Sequence, residues 1–250
     1  MILIRQNYLQ KFVACIIVTG FLISSISYAV DMETASPSQT DAVMSSGADQ
    51  LRQFVRKSKT AEGDFVQQQL REPKANEPQD KGLRVVRQTQ GHFVFQRPGR
   101  FIWETLKPYE QKLIADGKQL VLWDKDLNQA TFRSAGQALA ATPAAILFGE
   151  SSLDQHFELV EGEQRSGMSW VSLKPKVNPN SPLSKNEGAS LAYTKIAIGM
   201  VNGLPRAIEL NDGLGGTVLV IFSQIQLNVD LPTSRFTFTP PPSAEVLRLN

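Results

Sequence analysis

Cysteine is almost absent from this chain. The single one, Cys15, falls inside the N-terminal apolar run, so the rest of the chain has no disulfide, no thiolate metal site and no cysteine nucleophile. Histidine is nearly as scarce. His92 and His156 each lie in a strand-like segment, and no H-E-x-x-H or zinc-like spacing surrounds either. No G-x-S-x-G nucleophile elbow occurs. The glycine-rich run Gly213–Gly216 leads into a strand and not a helix, which excludes phosphate binding at a helix terminus and fits a hairpin loop. A hydrolase using serine with His156, or two carboxylates, is the residual enzyme reading. Charge of either sign is not in excess: Arg5 and Lys11 are the only charged side chains before Val30, and beyond them cations and anions balance. Such a balance excludes a nucleic acid or anionic membrane held by bulk charge. After the first apolar run no other approaches the twenty residues of a membrane span, and no internal repeat is evident.

What is present begins with a leader. Arg5 and Lys11 precede the apolar Phe12–Ile26, and Ser27-Tyr28-Ala29 has the small-x-small form of a cleavage site. Residues 1–29 are expected to be a cleaved secretory signal. Cys15 lies too early in it, with no apolar segment before it, to be the lipidated residue of a lipoprotein. Residues 30–46, rich in Ser, Thr, Ala and Asp, are expected to be a flexible mature N-terminus, and residues 47–250 one domain.

Gly47–Lys57 predicts a helix, with Ala48, Leu51, Phe54 and Val55 in a stripe, Asp49 in the first turn and Arg56-Lys57 in the last. A second helix is expected at Thr142–Phe148, with Thr142 as N-cap and Pro143 at the first position. It is apolar all round and needs cover on most sides. Between and after them strand signals dominate. Asp64–Leu70 and Leu83–Gln90 lead to a hairpin at Gly91–Thr105 with Pro98-Gly99 as its turn. Period-2 alternation places Phe93, Phe95 and Arg97 on one face of its first strand, and Phe101 with Trp103 on one face of the second. Gln111–Ala115 and Gln119–Trp123 flank Asp116-Gly117, a strong hairpin signal, and Gln129–Phe132 adds a short strand. Further strands are expected at His156–Val160, Met168–Leu173, Leu191–Gly199, Arg206–Asn211, Val218–Leu227 and Phe236–Thr239, with Lys174–Ser190 an exposed loop. The whole reads as a mainly β (α+β) fold: one strongly curved antiparallel sheet with helices on its concave face.

These residues resemble the LolA family of periplasmic outer-membrane lipoprotein carriers. The resemblance runs through the Asp49–Lys57 helix, Gly63-Asp64-Phe65, Gly91…Arg97-Pro98…Phe101-Ile102-Trp103, Ala115-Asp116-Gly117-Lys118 with Leu122-Trp123, the Thr142-Pro143 helix and Phe236-Thr237-Phe238-Thr239-Pro240-Pro241. It implies an unclosed β-barrel whose hydrophobic hollow is covered by helices. It also implies a monomeric, non-enzymatic carrier in the periplasm, without cofactor or metal. Such a carrier takes acylated lipoproteins from an inner-membrane lipoprotein-releasing ABC transporter and delivers them to an outer-membrane, LolB-like receptor. The receptor itself, or a lipid-sensing relative of the same fold, is the alternative within this architecture; the position of Cys15 favours the carrier. Carried over residue by residue, the resemblance makes Arg97 the latch of the helical cover. With the alternation above, it makes Phe93, Phe95, Phe101, Trp103, Leu122, Ile146, Leu147, Leu51 and Phe54 the wall and cover of an acyl-chain cavity. Two loops, Arg71–Gly82 and Lys174–Ser190, and the extra cation Arg100 depart from the family pattern.

Overall fold

A short amphipathic helix sits on a long sheet. In the computed structural model, which describes residues 45–78, 82–134, 147, 153–176, 193–212 and 214–249, helix α1 spans Gly47–Lys57. Ser46 caps it, its side chain accepting from the Asp49 N–H at 3.1 Å, and Asp49 and Arg56-Lys57 complement the helix dipole. The stripe of Ala48, Leu51, Phe54 and Val55 is buried. The leader, nearly all of residues 30–46 and most of the Thr142–Phe148 helix lie outside the described residues. From that helix Leu147 alone is described; it is helical and fully buried.

Twelve strands form one curved, unclosed sheet: β1 Thr60–Arg71, β2 Arg84–Gln96, β3 Arg100–Lys107, β4 Gln111–Asp116, β5 Gln119–Asp124, β6 Gln129–Ser134, β7 Phe157–Arg165, β8 Met168–Pro175, β9 Lys195–Val201, β10 Leu204–Asn211, β11 Gly216–Leu227 and β12 Glu245–Leu249. Their order is β12-β6-β5-β4-β3-β2-β1-β11-β10-β9-β8-β7. A one-turn helix α2, Leu153–His156, precedes β7, so His156 ends a helical turn where a strand start was expected. The turns are built as their residues demand. Gly117 has φ +95°, and the Asp116 carboxylate accepts from Lys118 N and Gln119 N, each at 2.7 Å. Asp212 plays the same part between β10 and β11, accepting from Leu214 N and Gly216 N.

Alternation gives the sheet two apolar faces. The inner face, beneath α1, carries the main core, including Phe65, Phe93, Phe95, Phe101, Ile198 and Ile208. The outer face carries Val94, Ile102 and Ile114, covered by Leu231 and Phe236, and separately Trp170, Ala197 and Ala207.

This covering corrects the expected strand at Phe236–Thr239. The chain there makes a 3-10 turn, Thr233–Phe236, and then an extended stretch with no ladder. Phe236 plugs the outer cluster and Phe238 lies 5.5 Å from the Trp123 ring, so the alternation decides burial while Pro240-Pro241-Pro242, lacking N–H groups, cannot join a sheet. The sheet is also not wholly antiparallel. Strand β12, unforeseen because it is only five residues long and wholly exposed, pairs parallel to β6.

Candidate functional site

The β2–β3 hairpin brings the aromatic residues together as cross-strand pairs, Phe93 opposite Trp103 and Phe95 opposite Phe101. Phe65 of β1 stacks on Trp103 with centroids 3.9 Å apart, and Phe222 of β11 meets Phe93 edge-on at 5.3 Å. Gly91 makes this possible: a Cβ there would stand 1.8 Å from the Glu104 carbonyl oxygen and 2.9 Å from the Phe65 ring. Phe65, Phe93, Phe95 and Phe101 have at most 1% of their surface exposed, while Trp103 is partly buried at the margin.

Helix α1 closes over this floor. Leu51 is fully buried, and Phe54 meets the Phe95 ring edge-on with centroids 6.3 Å apart. Leu147 joins the same cluster. The predicted wall and cover residues Phe93, Phe95, Phe101, Trp103, Leu51, Phe54 and Leu147 therefore lie in one apolar body. Two others do not. Ile146 lies outside the described residues, and Leu122 is 43% exposed. Leu122 shares the inner-face row that runs from Trp103 through Leu113, but it stands beyond the end of the covered region.

Arg97 follows Phe95 and Gln96 at the end of β2, where Gly99 (φ +68°) turns the hairpin. Its guanidinium lies 4.9 Å from the Phe95 ring centroid and 5.9 Å from that of Phe54. Nε donates to the Ser58 carbonyl at 3.1 Å, and an Nη donates to the Leu147 carbonyl at 2.6 Å. Ser58 is the C-cap of α1, and its hydroxyl also donates to the Phe54 carbonyl. One side chain thus joins the sheet to both covering segments. A guanidinium suits this position because it presents several donors in a fixed planar fork. Burial pushes its pKa down to about 10, still far above neutrality, so the group stays charged.

The other end of α1 is held as well. The Glu161 carboxylate of β7 accepts from Gly47 N at 3.1 Å and Ala48 N at 2.8 Å. Gln50 donates to the Ser45 carbonyl and accepts from Gly203 N at 2.9 Å. Glu161, Gln50 and Ser58 were not singled out from the sequence; their long-range contacts, to Gly47 N and Ala48 N, to Gly203 N and to Arg97 Nε, are marked by no local pattern. Phe65 and Phe222 were missed too, although strand alternation could have found them.

His92 is on the outer face, its Nδ1 3.0 Å from Asp64 Oδ1, far from the aromatic floor. Among the described residues no cluster of three or more His, Cys, Asp or Glu could hold a metal, and no helix is long and apolar enough to cross a membrane. Arg100, the extra cation, bonds the Asp116 carbonyl and Gln96 Oε1 at the hairpin turn.

The family model described as "Outer membrane lipoprotein carrier protein LolA" matches residues 56–239. A protein of Ralstonia nicotianae named outer-membrane lipoprotein carrier protein is 42% identical over 200 residues, covering 80% of this chain and 86% of that one. One of Bordetella avium with the same name is 36% identical over 231 residues, covering 92% and 100%. Among solved structures, a LolA superfamily protein from Nitrosomonas europaea aligns with TM-score 0.46 at 12% identity, covering 77% of this chain and 96% of that one.

Proposed function

This chain belongs to the LolA family of outer membrane lipoprotein carrier proteins, and from that premise we propose that it shelters the acyl chains of lipoproteins between its sheet and its helical cover while they cross the periplasm. The observation that carries the reading is the position of Arg97, a single cation on the rim of the aromatic floor that bonds the carbonyls of both covering segments.

An acyl chain gains ~0.8 kcal/mol per buried methylene, on the order of ten kcal/mol for a long chain. Its spontaneous escape from a membrane into water is therefore negligible, and a carrier must offer an apolar surface of its own. In the closed, empty protein that surface is shared between Phe93, Phe95, Phe101 and Trp103 below and Leu51, Phe54 and Leu147 above. Loading separates the two layers and puts acyl chain between them; Ile146 and Leu122 extend the lining. Arg97 serves as the latch. Its bonds to the Ser58 and Leu147 carbonyls resist opening by less than one acyl chain contributes, so cargo can open the cover, and reclosure favours release at the acceptor. An inner-membrane ABC transporter supplies the lipoprotein and a LolB-like outer-membrane receptor takes it. The protein acts as a monomer in the periplasm and performs no covalent chemistry.

Native mass spectrometry of the protein isolated from periplasm tests the reading, with a bound acylated lipoprotein as the expected result. Phe101→Glu should abolish that species, because an unpaired carboxylate would stand where acyl chains lie, at a cost of several kcal/mol. Turnover of an ester substrate with no bound acylated partner would refute the carrier reading.

A further inference from the structure

The inner face of the sheet changes character along its strands. In β1 the inward positions run Ala61, Gly63, Phe65 and then Gln67 and Gln69. In β2 they run Phe95, Phe93, Gly91 and then Thr89 and Arg87. Gln67 pairs with Thr89 and Gln69 with Arg87, immediately beyond the Phe65–Gly91 pair. Thr105 opposite Gly91, and Gln111 opposite Thr105, carry the change into β3 and β4. These six side chains line a cavity of about 140 Å³ that begins where the aromatic floor ends.

The cavity is rich in donors and poor in anions. Gln67, Gln69, Arg87, Thr89 and Thr105 have no side-chain hydrogen bond or ion pair with the other described residues. No carboxylate lines the cavity. The one behind it, Asp124, is engaged by Gln111 Nε2 at 2.7 Å and by Leu127 N at 3.0 Å. The band is half-buried to exposed, so an incoming ligand can reach its donors directly from the end of the aromatic floor. A ligand that fits has an apolar chain leading into a group crowded with acceptor oxygens. The backbone beside the cavity is open too. β2 residues 84–89 pair with β1, but β3 ends with Lys107 opposite Gln90, which leaves that edge of β2 unpaired among the described residues. An extended peptide can add to such an edge.

We propose that this polar band binds the carbonyl-rich linkage of the cargo: the ester and amide groups that join acyl chains to a lipoprotein's N-terminal residue, with the first peptide bonds running along the free edge of β2. The site rests on the carrier reading and refines it, assigning the aromatic floor to the chains and Arg87, Gln67 and Thr89 to the head. Arg87 is the strongest donor, since a charged donor to a carbonyl roughly doubles the strength of a neutral bond.

Titrations with three probes test it on the wild type, on Arg87→Met and on the double variant Gln67→Leu/Thr89→Val. The probes are a synthetic peptide with an N-terminal tripalmitoylated cysteine, the neutral dye N-phenyl-1-naphthylamine, and lysophosphatidylglycerol. Arg87 is exposed, so its replacement should leave the fold intact. Both variants should bind the lipopeptide about tenfold more weakly and the dye as the wild type does. Unchanged lipopeptide binding in both would overturn the site. Equal losses for lipopeptide and dye would overturn it as well, because the residues would then only shape the apolar cavity. Loss confined to lysophosphatidylglycerol would make it a phosphate site instead. Wild-type protein that binds dye but no lipopeptide would overturn the carrier reading itself, and the site with it.

Discussion

Replacing Arg97 by leucine isolates the latch from the fold. Two of the side chain's bonds from its charged donor, to the Ser58 and Leu147 carbonyls, are together worth roughly 3–6 kcal/mol before solvation is considered. Against this stands the burial of a guanidinium, which lowers its pKa to about 10 and corresponds to roughly 3 kcal/mol. The difference, on the order of 2 kcal/mol, holds the cover shut and amounts to about a thirtyfold shift between closed and open forms. Leucine retains the apolar contact with Phe54 and Phe95 but leaves two carbonyls without their donor, and opening lets water satisfy them. The sheet should be unaffected, because the paired rings of Phe93, Phe101 and Trp103 do not depend on Arg97. The expected result is a melting transition close to wild type, higher binding of N-phenyl-1-naphthylamine by the empty protein, and impaired handover of lipoprotein. Arg97→Lys should fall between, since one ammonium cannot fork to two carbonyls as a guanidinium does. Wild-type dye binding together with wild-type handover in Arg97→Leu would refute the latch.

Three further perturbations have defined outcomes. Gly91→Ala should destabilise the protein by roughly 3 kcal/mol in urea unfolding, because the new Cβ meets the Glu104 carbonyl oxygen at 1.8 Å and a backbone atom in a ladder cannot swing aside. Glu161→Ala removes two bonds from the start of α1 and should cost about 1–2 kcal/mol, read as faster amide exchange at Ala48 without loss of the sheet. The Glu77 carboxylate is held at about 2, well below its ordinary value, chiefly by its hydrogen bonds to Arg71 and the Lys74 N–H. A lowered carboxylate pKa contributes stability that is full above the ordinary glutamate range and lost as pH falls through about 2. The 71–78 loop should therefore stay ordered at pH 5 and loosen toward pH 2, followed through the Lys74 amide.

The parts of this fold governed by local chemistry could be read before any coordinates. The boundaries of α1, the Pro98-Gly99 and Asp116-Gly117 turns, and the face on which Phe93, Phe95 and Arg97 stand all follow from periodicity and turn residues within a few positions. Long-range features could not. Arg97 was placed correctly at the end of an aromatic row, but its acceptors lie 39 and 50 residues away and are main-chain oxygens, which carry no signature in side-chain identity. Phe236–Thr239 alternates as a strand would, yet it joins no ladder among the described residues, and the same alternation serves to plug an outer apolar cluster. Leu122 sits on the expected face but is 43% exposed, a distinction that strand pattern alone does not make.

The way α1 is attached has a mechanical consequence. Only Ser58 and Lys59 separate it from β1, and Lys59 is pinned on both sides: its N–H donates to Asn228 Oδ1 at 2.9 Å and its carbonyl accepts from Arg97 N at 2.8 Å. That end is a fulcrum. The other end, about 16 Å away by helix geometry, is the tip of a lever, restrained by Glu161 and Gln50. A tilt of about 20° moves the tip by roughly 5 Å, several times what a hydrogen bond tolerates, yet hardly stretches a bond beside the fulcrum. The Glu161 bonds therefore act with the full moment arm and break first, and the Arg97–Ser58 bond sets the stiffness of the joint. The Arg97 guanidinium bonds both the Ser58 carbonyl at the fulcrum and the Leu147 carbonyl, so torque applied at the distant tip is felt at Leu147 through a side chain anchored in the sheet.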